Sequence, residues 1–220
     1  MIKVRTVFEK KGRAKYISHL DLNRFIMRVF KRSGLPIWYT EGFNPHPYIV
    51  FAMALSLGFE SDCEIMDFNL TEGVSFGKIK KILNDILPEG LKILYVTTPE
   101  HKIKDIGKAE YSVECITENP EENEIFLTEL QKFLELPEIN VEKKTKKGIK
   151  LVDIKPLTEL TNIINKSDNI VLNMRLPAGT QNNFNPMLFI DAFSAVSSVR
   201  FETGKISRTG ILCADGEVFK

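Results

Sequence analysis

The 220-residue chain is predicted to be an α+β protein with antiparallel sheets. Three observations predict this class: short runs of β-branched and aromatic residues, two amphipathic helical segments in the first hundred residues, and glycine- or proline-containing turns between them. The order of these segments is strand, helix, strand, strand, helix, strand. That order is typical of a ferredoxin-like (βαββαβ) domain.

The elements of the first hundred residues follow from local signals. Residues 2–9 mix β-branched and aromatic residues with charged ones and are predicted to form a strand. The first helix is expected to open at Ser18, because apolar residues then recur at helical spacing, and to end at Gly34 and Pro36. An extended stretch is expected at 14–17, strands at 37–40, 48–57, 65–70 and 91–98, and a second helix at 75–86.

The second half repeats this order of elements without repeating the residues themselves. Strands are predicted at 109–116, 170–175, 198–202 and 206–213, and helices at 119–136, 157–164 and 185–196. A hairpin of residues 141–146 and 149–154 is expected to turn at Lys147-Gly148. We therefore expect two tandem ferredoxin-like domains, at 1–100 and 109–220, joined through residues 99–108.

Composition excludes several classes of protein. The net charge is +1, so attraction to nucleic acid must come from local patches. The longest apolar run, residues 48–59, is too short to span a bilayer, and the first residues lack a signal-peptide pattern, so no membrane association is expected. The widely spaced Cys63, Cys115 and Cys213 form neither a disulfide framework nor an iron–sulfur motif. We expect a cytoplasmic protein.

The first predicted helix carries a row of basic side chains. Arg24, Arg28 and Lys31 fall at positions i, i+4 and i+7, apart from the apolar stripe. The planar guanidinium of arginine binds phosphate and carboxylate well. The row is either an ordinary solvated helix face or a contact surface for an anion or an RNA backbone.

The most distinctive string of the chain is Gly42-Phe43-Asn44-Pro45-His46-Pro47. Asn44 and His46 each precede a proline, which favours extended backbone at both positions. Extended residues two apart point to the same side, so we expect both side chains to project together, near the start of the first helix. Such a pre-ordered loop suits a binding site, although a rigid connection with a hydrogen-bonded histidine is the alternative.

Helix capping explains part of the segment around His19. Ser18 and Asp21 form a variant capping box, and Asp21 can pair with Arg24 one turn later. Capping does not explain His19, which lies where backbone N–H groups are free for an anion. Glu60, Asp62 and Glu64 raise the question of a metal site, but their spacing matches no standard motif, so no metal or cofactor is expected.

Several strings together resemble a known family: His19-Leu20-Asp21-Leu22, Gly34-Leu35-Pro36, the proline-rich loop, Gly58 with Glu60-Ser61 and Glu64, and Ser207-Arg208-Thr209-Gly210. They are similar to the radical SAM-associated (radical SAM-linked) protein family, a bacterial domain of unknown function. Its members are encoded with, or fused to, radical SAM enzymes that also carry a cobalamin-binding domain. The resemblance therefore implies such an enzyme as partner, and it assigns no reaction to the linked domain.

We therefore expect an accessory protein that binds a substrate, with RNA as the leading candidate, for a radical SAM partner. Arg24, Arg28 and Arg208 would contact phosphates. Phe43 would stack on a base, while His19, Asn44 and His46 would contact the substrate near the reacting position. Two alternatives stay open. One is an RNA-cleaving or metal-dependent hydrolase in which Asp21 orients His19 or His46 as general base, and the other is a protein-interaction module.

Overall fold

The computed structural model describes residues 1–145, 148–179 and 183–220, and it confirms a mixed α+β protein with a large, mostly antiparallel sheet. The described elements are, in chain order, β1 (Ile2–Lys10), α1 (His19–Ser33), β2 (Ile49–Phe51), β3 (Glu60–Leu70), α2 (Phe76–Asn84), β4 (Leu91–Thr97), β5 (Ile106–Thr117), α3 (Glu122–Glu135), β6 (Asn140–Thr145), β7 (Gly148–Asp153), β8 (Glu159–Asn165), β9 (Ile170–Pro177), α4 (Met187–Ser194) and β10 (Phe201–Cys213). None of these helices combines the length and the apolar character that crossing a bilayer requires.

The large sheet has eight strands, and the order of its main path is β4-β1-β3-β10-β5-β9-β8, with β2 also paired to β3. Strands of the first half thus pair in the order β4-β1-β3-β2, and strands of the second half in the order β10-β5-β9-β8. The halves meet at a short parallel pairing, Ser207 with Glu60 and Arg208 with Ser61. The β6–β7 hairpin forms a separate two-stranded sheet.

Each half packs two helices against its strands. In the first half α1 and α2 cover a core that includes Phe30, Phe68 and Ile79. In the second half α3 and α4 cover a core that includes Phe126 and Phe193. This second core also takes in side chains from the first half, namely Val7, Ala52, Met53, Leu55, Phe59 and Ile65. The two halves are therefore joined by apolar packing as well as by strand pairing.

Helix α1 begins and ends where its sequence signals predict. The Ser18 hydroxyl accepts the Asp21 N–H at 3.1 Å and donates to the Asp21 carboxylate at 2.7 Å. Gly34 ends the helix with φ +66°, a left-handed conformation that glycine adopts without steric cost. The buried stripe is Leu22, Ile26, Val29 and Phe30, whereas Leu20 is exposed.

Several predicted elements were wrong. Residues 157–164 form no helix: most of them belong to strand β8, because the β-branched side chains around Ile163 and Ile164 suit pairing with β9. The two strands predicted at 198–202 and 206–213 are one strand, β10, which is irregular between Thr203 and Ile206. Residues 14–16 are not extended, since a 3-10 turn occupies Gly12–Tyr16; only Ile17 of the predicted stretch is extended.

The region around the proline-rich loop also contains less strand than predicted. Only Ile49–Phe51 forms a regular strand, while Ile37 and Tyr39 make isolated bridges. Prolines at 36, 45 and 47 lack the N–H that a ladder needs, which limits regular pairing here. In the second half, Lys147 of the predicted hairpin turn lies outside the described residues.

Candidate functional site

The proline-rich string forms the tip of a closed hairpin, residues 38–48, which we call the hairpin loop. Its base is held to the sheet, because the Trp38 N–H donates to the Asn69 carbonyl at 2.8 Å. Two further backbone hydrogen bonds close it, from Tyr48 N–H to the Trp38 carbonyl at 3.0 Å and from Thr40 N–H to the His46 carbonyl at 2.9 Å. The loop is therefore held in shape before any ligand binds.

The ring of His46 helps to hold this tip in place. Its Nδ1 lies 3.0 Å from the Asn44 carbonyl and 3.1 Å from the Thr40 hydroxyl. A carbonyl oxygen only accepts, so the contact with Asn44 places the proton of a neutral ring on Nδ1. Within the described part of the chain Nε2 has no hydrogen-bond partner, and it would face a ligand as an acceptor.

The tip presents three kinds of recognition group to solvent. Phe43, Asn44 and His46 are all exposed, and the Phe43 ring is fully so. At the base of the loop the rings of Trp38 and Tyr48 pack edge to face with centroids 5.4 Å apart. A single exposed apolar side chain is common on protein surfaces. A fully exposed ring on a loop held by hydrogen bonds, beside an amide and an imidazole, is better suited to stacking and hydrogen bonding with a ligand.

The outer surface of α1 and α2 is strongly basic. These two helices carry seven exposed basic side chains and a single acidic residue, Asp21. We call the seven basic side chains the basic helix surface: Arg24, Arg28, Lys31, Arg32, Lys78, Lys80 and Lys81. Among described residues only Arg24 of this set has an ion pair, 3.7 Å from Asp21. Helices α3 and α4 have the opposite balance, with five acidic side chains and one lysine. The net charge of +1 conceals this separation.

The hairpin loop and the basic helix surface lie at the same end of the first half. Helix α1 ends at Ser33, and residues 34–37 connect it to the hairpin loop. Within this connection the Pro36 carbonyl accepts the Thr71 N–H at 2.8 Å. Thr71 follows β3 and precedes α2, which begins at Phe76. The loop thus stands near the C-terminal end of α1 and the start of α2, not near the start of α1 as expected from the sequence.

His19 lies elsewhere. Its ring packs edge to face on Phe51 with centroids 5.4 Å apart, and Phe51 in turn contacts Phe8 at 6.1 Å. Phe51 is five residues beyond His46, and five extended residues span roughly 16 Å. No hydrogen bond or ring contact joins His19 to His46 within residues 1–145, 148–179 and 183–220. The structure therefore does not unite the two histidines.

Arg208 is not available for the phosphate contact predicted from the sequence, because its side chain is only 2% exposed. It donates to the Glu64 carboxylate at 2.8 Å, to the Ala54 carbonyl at 2.9 Å and to the Tyr111 hydroxyl at 3.3 Å. Burial alone would lower the pKa of Arg208, but Glu64, Tyr111 and Cys63 together outweigh it and the pKa is raised. Arg208 thus serves the junction between the halves.

A second buried cation at this junction was missed by the sequence analysis. Lys10 is 1% exposed, and its ammonium donates to the carbonyls of Ile17 at 2.8 Å and Lys15 at 3.3 Å. Burial lowers the pKa of Lys10, while Glu64 opposes that effect. We call Lys10, Glu64 and Arg208 the buried ionic cluster. The only available signal was the position of Lys10 two residues after Phe8 in β1, on the face that turns inward.

The contacts of these side chains differ from those that the acid–base alternative expects. The Asp21 carboxylate is held by Ser18 and Arg24 rather than by a histidine. In the described ranges, no three or more His, Cys, Asp or Glu side chains are grouped so that they could hold a metal ion. Burial, reinforced by Glu64, raises the pKa of the Cys63 thiol to about 12, so this thiol is neutral at pH 7.

Comparison with known proteins gives a family but no activity. Residues 3–186 match the family described as "Uncharacterized protein conserved in bacteria (DUF2344)". A search of curated proteins found no match. One similar solved structure is titled "Crystal Structure of a Cbf5-Nop10-Gar1 Complex": it is 10% identical, has a TM-score of 0.49, and is matched over 94% of this chain and 48% of that one. The present chain spans about half of that chain, and the likeness is too weak to support a functional argument.

Proposed function

We propose that this chain, which belongs to the uncharacterized bacterial family DUF2344, is an accessory protein that binds RNA and presents it to a partner enzyme. The observation that carries the proposal is the position of an exposed, braced recognition loop beside the basic helix surface. No independent catalytic activity is proposed. The sequence resemblance described above suggests that the partner is a cobalamin-type radical SAM enzyme in the bacterial cytoplasm.

The basic helix surface would supply the affinity. Six of its seven cations have no ion pair among the described residues, so their charges are free to neutralise phosphates. Binding of this kind releases counterions from the nucleic acid and weakens steeply as salt rises. Arginine at positions 24 and 28 would add paired hydrogen bonds to phosphate oxygens.

The hairpin loop would read the bases. The exposed Phe43 ring offers a stacking platform, which contributes roughly 1–3 kcal/mol per base in single-stranded nucleic acid complexes. The amide of Asn44 and the Nε2 of His46 can hydrogen-bond base edges, as sequence-specific recognition of unpaired RNA requires. Because Thr40 and Asn44 already hold the His46 ring, little conformational freedom is lost on binding.

The order of strands in the two halves is consistent with this proposal. Each half pairs its four strands in the same order, which supports two tandem ferredoxin-like units, at 1–100 and 109–220. In this arrangement the RNA surface belongs to the first unit alone. His19, which packs on Phe51, and Arg208, which is buried, are left out of the proposed contact surface.

The test is binding of a fluorescently labelled single-stranded RNA, measured by anisotropy between 50 and 200 mM KCl. We expect log affinity to fall linearly with log salt. Arg24→Glu with Arg28→Glu should weaken binding and reduce the slope by about 1.4, since each lost phosphate contact removes about 0.7. Phe43→Ala should weaken binding and leave the slope unchanged.

A matched control is Lys132→Glu with Lys166→Glu, which changes the net charge equally but alters exposed lysines of the second half. This control should keep nearly all of the RNA affinity. Failure of the unaltered protein to bind RNA at 50 mM KCl would refute the proposal. Equal losses of RNA affinity in the two double variants would show that RNA binding depends only on the net charge of the protein and not on the basic helix surface.

A further inference from the structure

The second half carries an open groove on the outer side of its helices. Two adjoining cavities of about 340 and 460 Å³ share Phe133, Leu136 and Val196 in their linings. Together they follow α4 and the end of α3 as far as strand β6. We call this continuous feature the acidic groove.

The floor of the acidic groove is apolar. Leu188, Ala192 and Val196 lie on one side of α4 and its C-terminal extension at positions i, i+4 and i+8. Leu136 stands opposite, and Leu136 and Val196 are exposed. Eight helical residues span about 12 Å, so the floor matches roughly two turns of a docked helix.

The groove is also preformed. Glu129 of α3 accepts hydrogen bonds from the Ser197 hydroxyl at 2.7 Å and from the Ser198 N–H at 2.9 Å. These bonds join the segment after α4 to α3. The spacing between the two walls therefore does not depend on a ligand.

The rim of the groove is negative. Glu138, Glu142 and Asp191 line the larger cavity, and all three are exposed. Lys132 lines the smaller cavity, and the Lys155 ammonium donates to the Leu136 carbonyl, so among the described side chains around the groove positive charge is in the minority. An RNA backbone would be repelled by this rim, whereas a cationic partner would be attracted.

We propose that the acidic groove is the docking site for a basic amphipathic helix of a partner protein. The apolar side of such a helix would cover Leu136 and Val196, and its lysines or arginines would meet Glu138, Glu142 and Asp191. This goes beyond the proposed function and does not depend on RNA binding, because it concerns the opposite half of the molecule.

A second copy of this chain fits the groove less well. Its basic helices are α1 and α2, but the apolar stripe of α1 is buried in its own core at Leu22, Ile26, Val29 and Phe30. The outer side of α1 is charged and offers no apolar ridge of two turns to the groove. A partner helix that is both cationic and apolar satisfies the floor and the rim together.

The experiment uses the full chain and a synthetic 14-residue helical peptide with leucine at positions i, i+3, i+4 and i+7 and lysine elsewhere. A peptide of the same pattern with glutamate in place of lysine is the charge control. We expect calorimetry to detect binding of the lysine peptide to the protein and no binding of the glutamate peptide. Val196→Lys should weaken that binding at least tenfold, and Leu136→Lys should do the same.

The matched control variant is Leu57→Lys, since Leu57 is 63% exposed, compared with 64% for Val196, but lies in the first half. It should leave peptide binding unchanged, and Val196→Lys should leave RNA affinity unchanged. Equal binding of both peptides, or undiminished binding to Val196→Lys, would overturn the inference. Self-association of the unaltered protein that Val196→Lys abolishes would also overturn it, because a second copy would then occupy the groove.

Discussion

The buried ionic cluster should be the most sensitive polar contact between the two halves. Glu64 of β3 is 3% exposed and is the only carboxylate in the cluster; it is paired with Arg208 of β10 at 2.8 Å, and its charge opposes the lowering of the Lys10 pKa by burial. We consider Glu64→Gln, which keeps the shape of the side chain and removes its charge. Two buried cations then lack a counter-charge, and each keeps only neutral hydrogen-bond acceptors.

The expected loss is large for a single substitution. Removing one partner of a buried ion pair typically costs about 3–5 kcal/mol, because the other charge is left buried and unpaired. With a urea dependence of about 3 kcal/mol per molar for a chain of this size, the midpoint of unfolding should fall by roughly 1–2 M. Arg208→Met should cost less, since Lys10 stays near Glu64.

The measurement is equilibrium unfolding in urea, followed by the fluorescence of Trp38 and by circular dichroism. Trp38 is the only tryptophan and reports on the first half, whereas circular dichroism reports on both. Glu159→Gln is the control, because the Arg175–Glu159 pair at 3.2 Å is at the surface, with Glu159 53% exposed. Such surface ion pairs contribute at most about 1 kcal/mol to the free energy of unfolding. If Glu64→Gln lowers the midpoint no more than Glu159→Gln does, the reasoning fails.

Three further predictions concern the loop, the thiols and pH. Phe43→Ala should change the free energy of unfolding by less than about 0.5 kcal/mol in urea titrations, because the ring is fully exposed, and it should lower the affinity for RNA. A marked loss of stability would contradict the exposed position of the Phe43 ring. Desolvation raises the pKa of the half-buried Cys63 and of the buried Cys115 to about 12, so both should react slowly with an aromatic disulfide reagent at pH 8 in the folded protein and quickly in urea. Rapid labelling of these two thiols in the folded protein would be inconsistent with their raised pKa values. Burial alone would raise the pKa of Glu60, but hydrogen bonds from Lys205 and the Gly12 N–H hold the pKa below its ordinary value. The ionised Glu60 carboxylate therefore contributes its full stabilisation above its unfolded pKa, and this contribution is lost as pH falls through the lower folded pKa. Glu60→Gln should therefore flatten the acid side of the plot of unfolding free energy against pH. An unchanged plot would count against the hydrogen bonds of Glu60 with Lys205 and Gly12.

Local signals predicted α1 correctly, but they failed where the conformation of a segment depends on pairing with a distant strand. The apolar stripe, the Ser18 cap and Gly34 define α1 from neighbours within a few residues, and the structure confirms them. The segment that became β8 carries an equally local pattern, but its conformation depends on pairing with β9, which a helical spacing of apolar residues does not reveal. Beside the loop, the predicted strands were shortened by prolines that remove ladder donors.

The candidate site was predicted in part. Asn44 and His46 are exposed, as the sequence predicted, but Asn44 lies in a bend and not in the regular extended backbone expected from the proline after it. The lysines of α2 were not singled out, because they join Arg24 and Arg28 only when α1 and α2 pack on the same side of the sheet. The sequence also suggested that the loop lies near the start of α1, whereas the chain path after Gly34 brings it to the other end.

By itself, the sequence determined the α+β class and the limits of α1, because each of these depends on residues close together in the chain. Only the tertiary structure decided which arginine is exposed and which is buried. Arg208 and Glu64 are separated by 144 positions, and their contact at 2.8 Å exists because β3 and β10 meet side by side. Burial and pairing across such a separation depend on the whole packed sheet, and no local pattern encodes them.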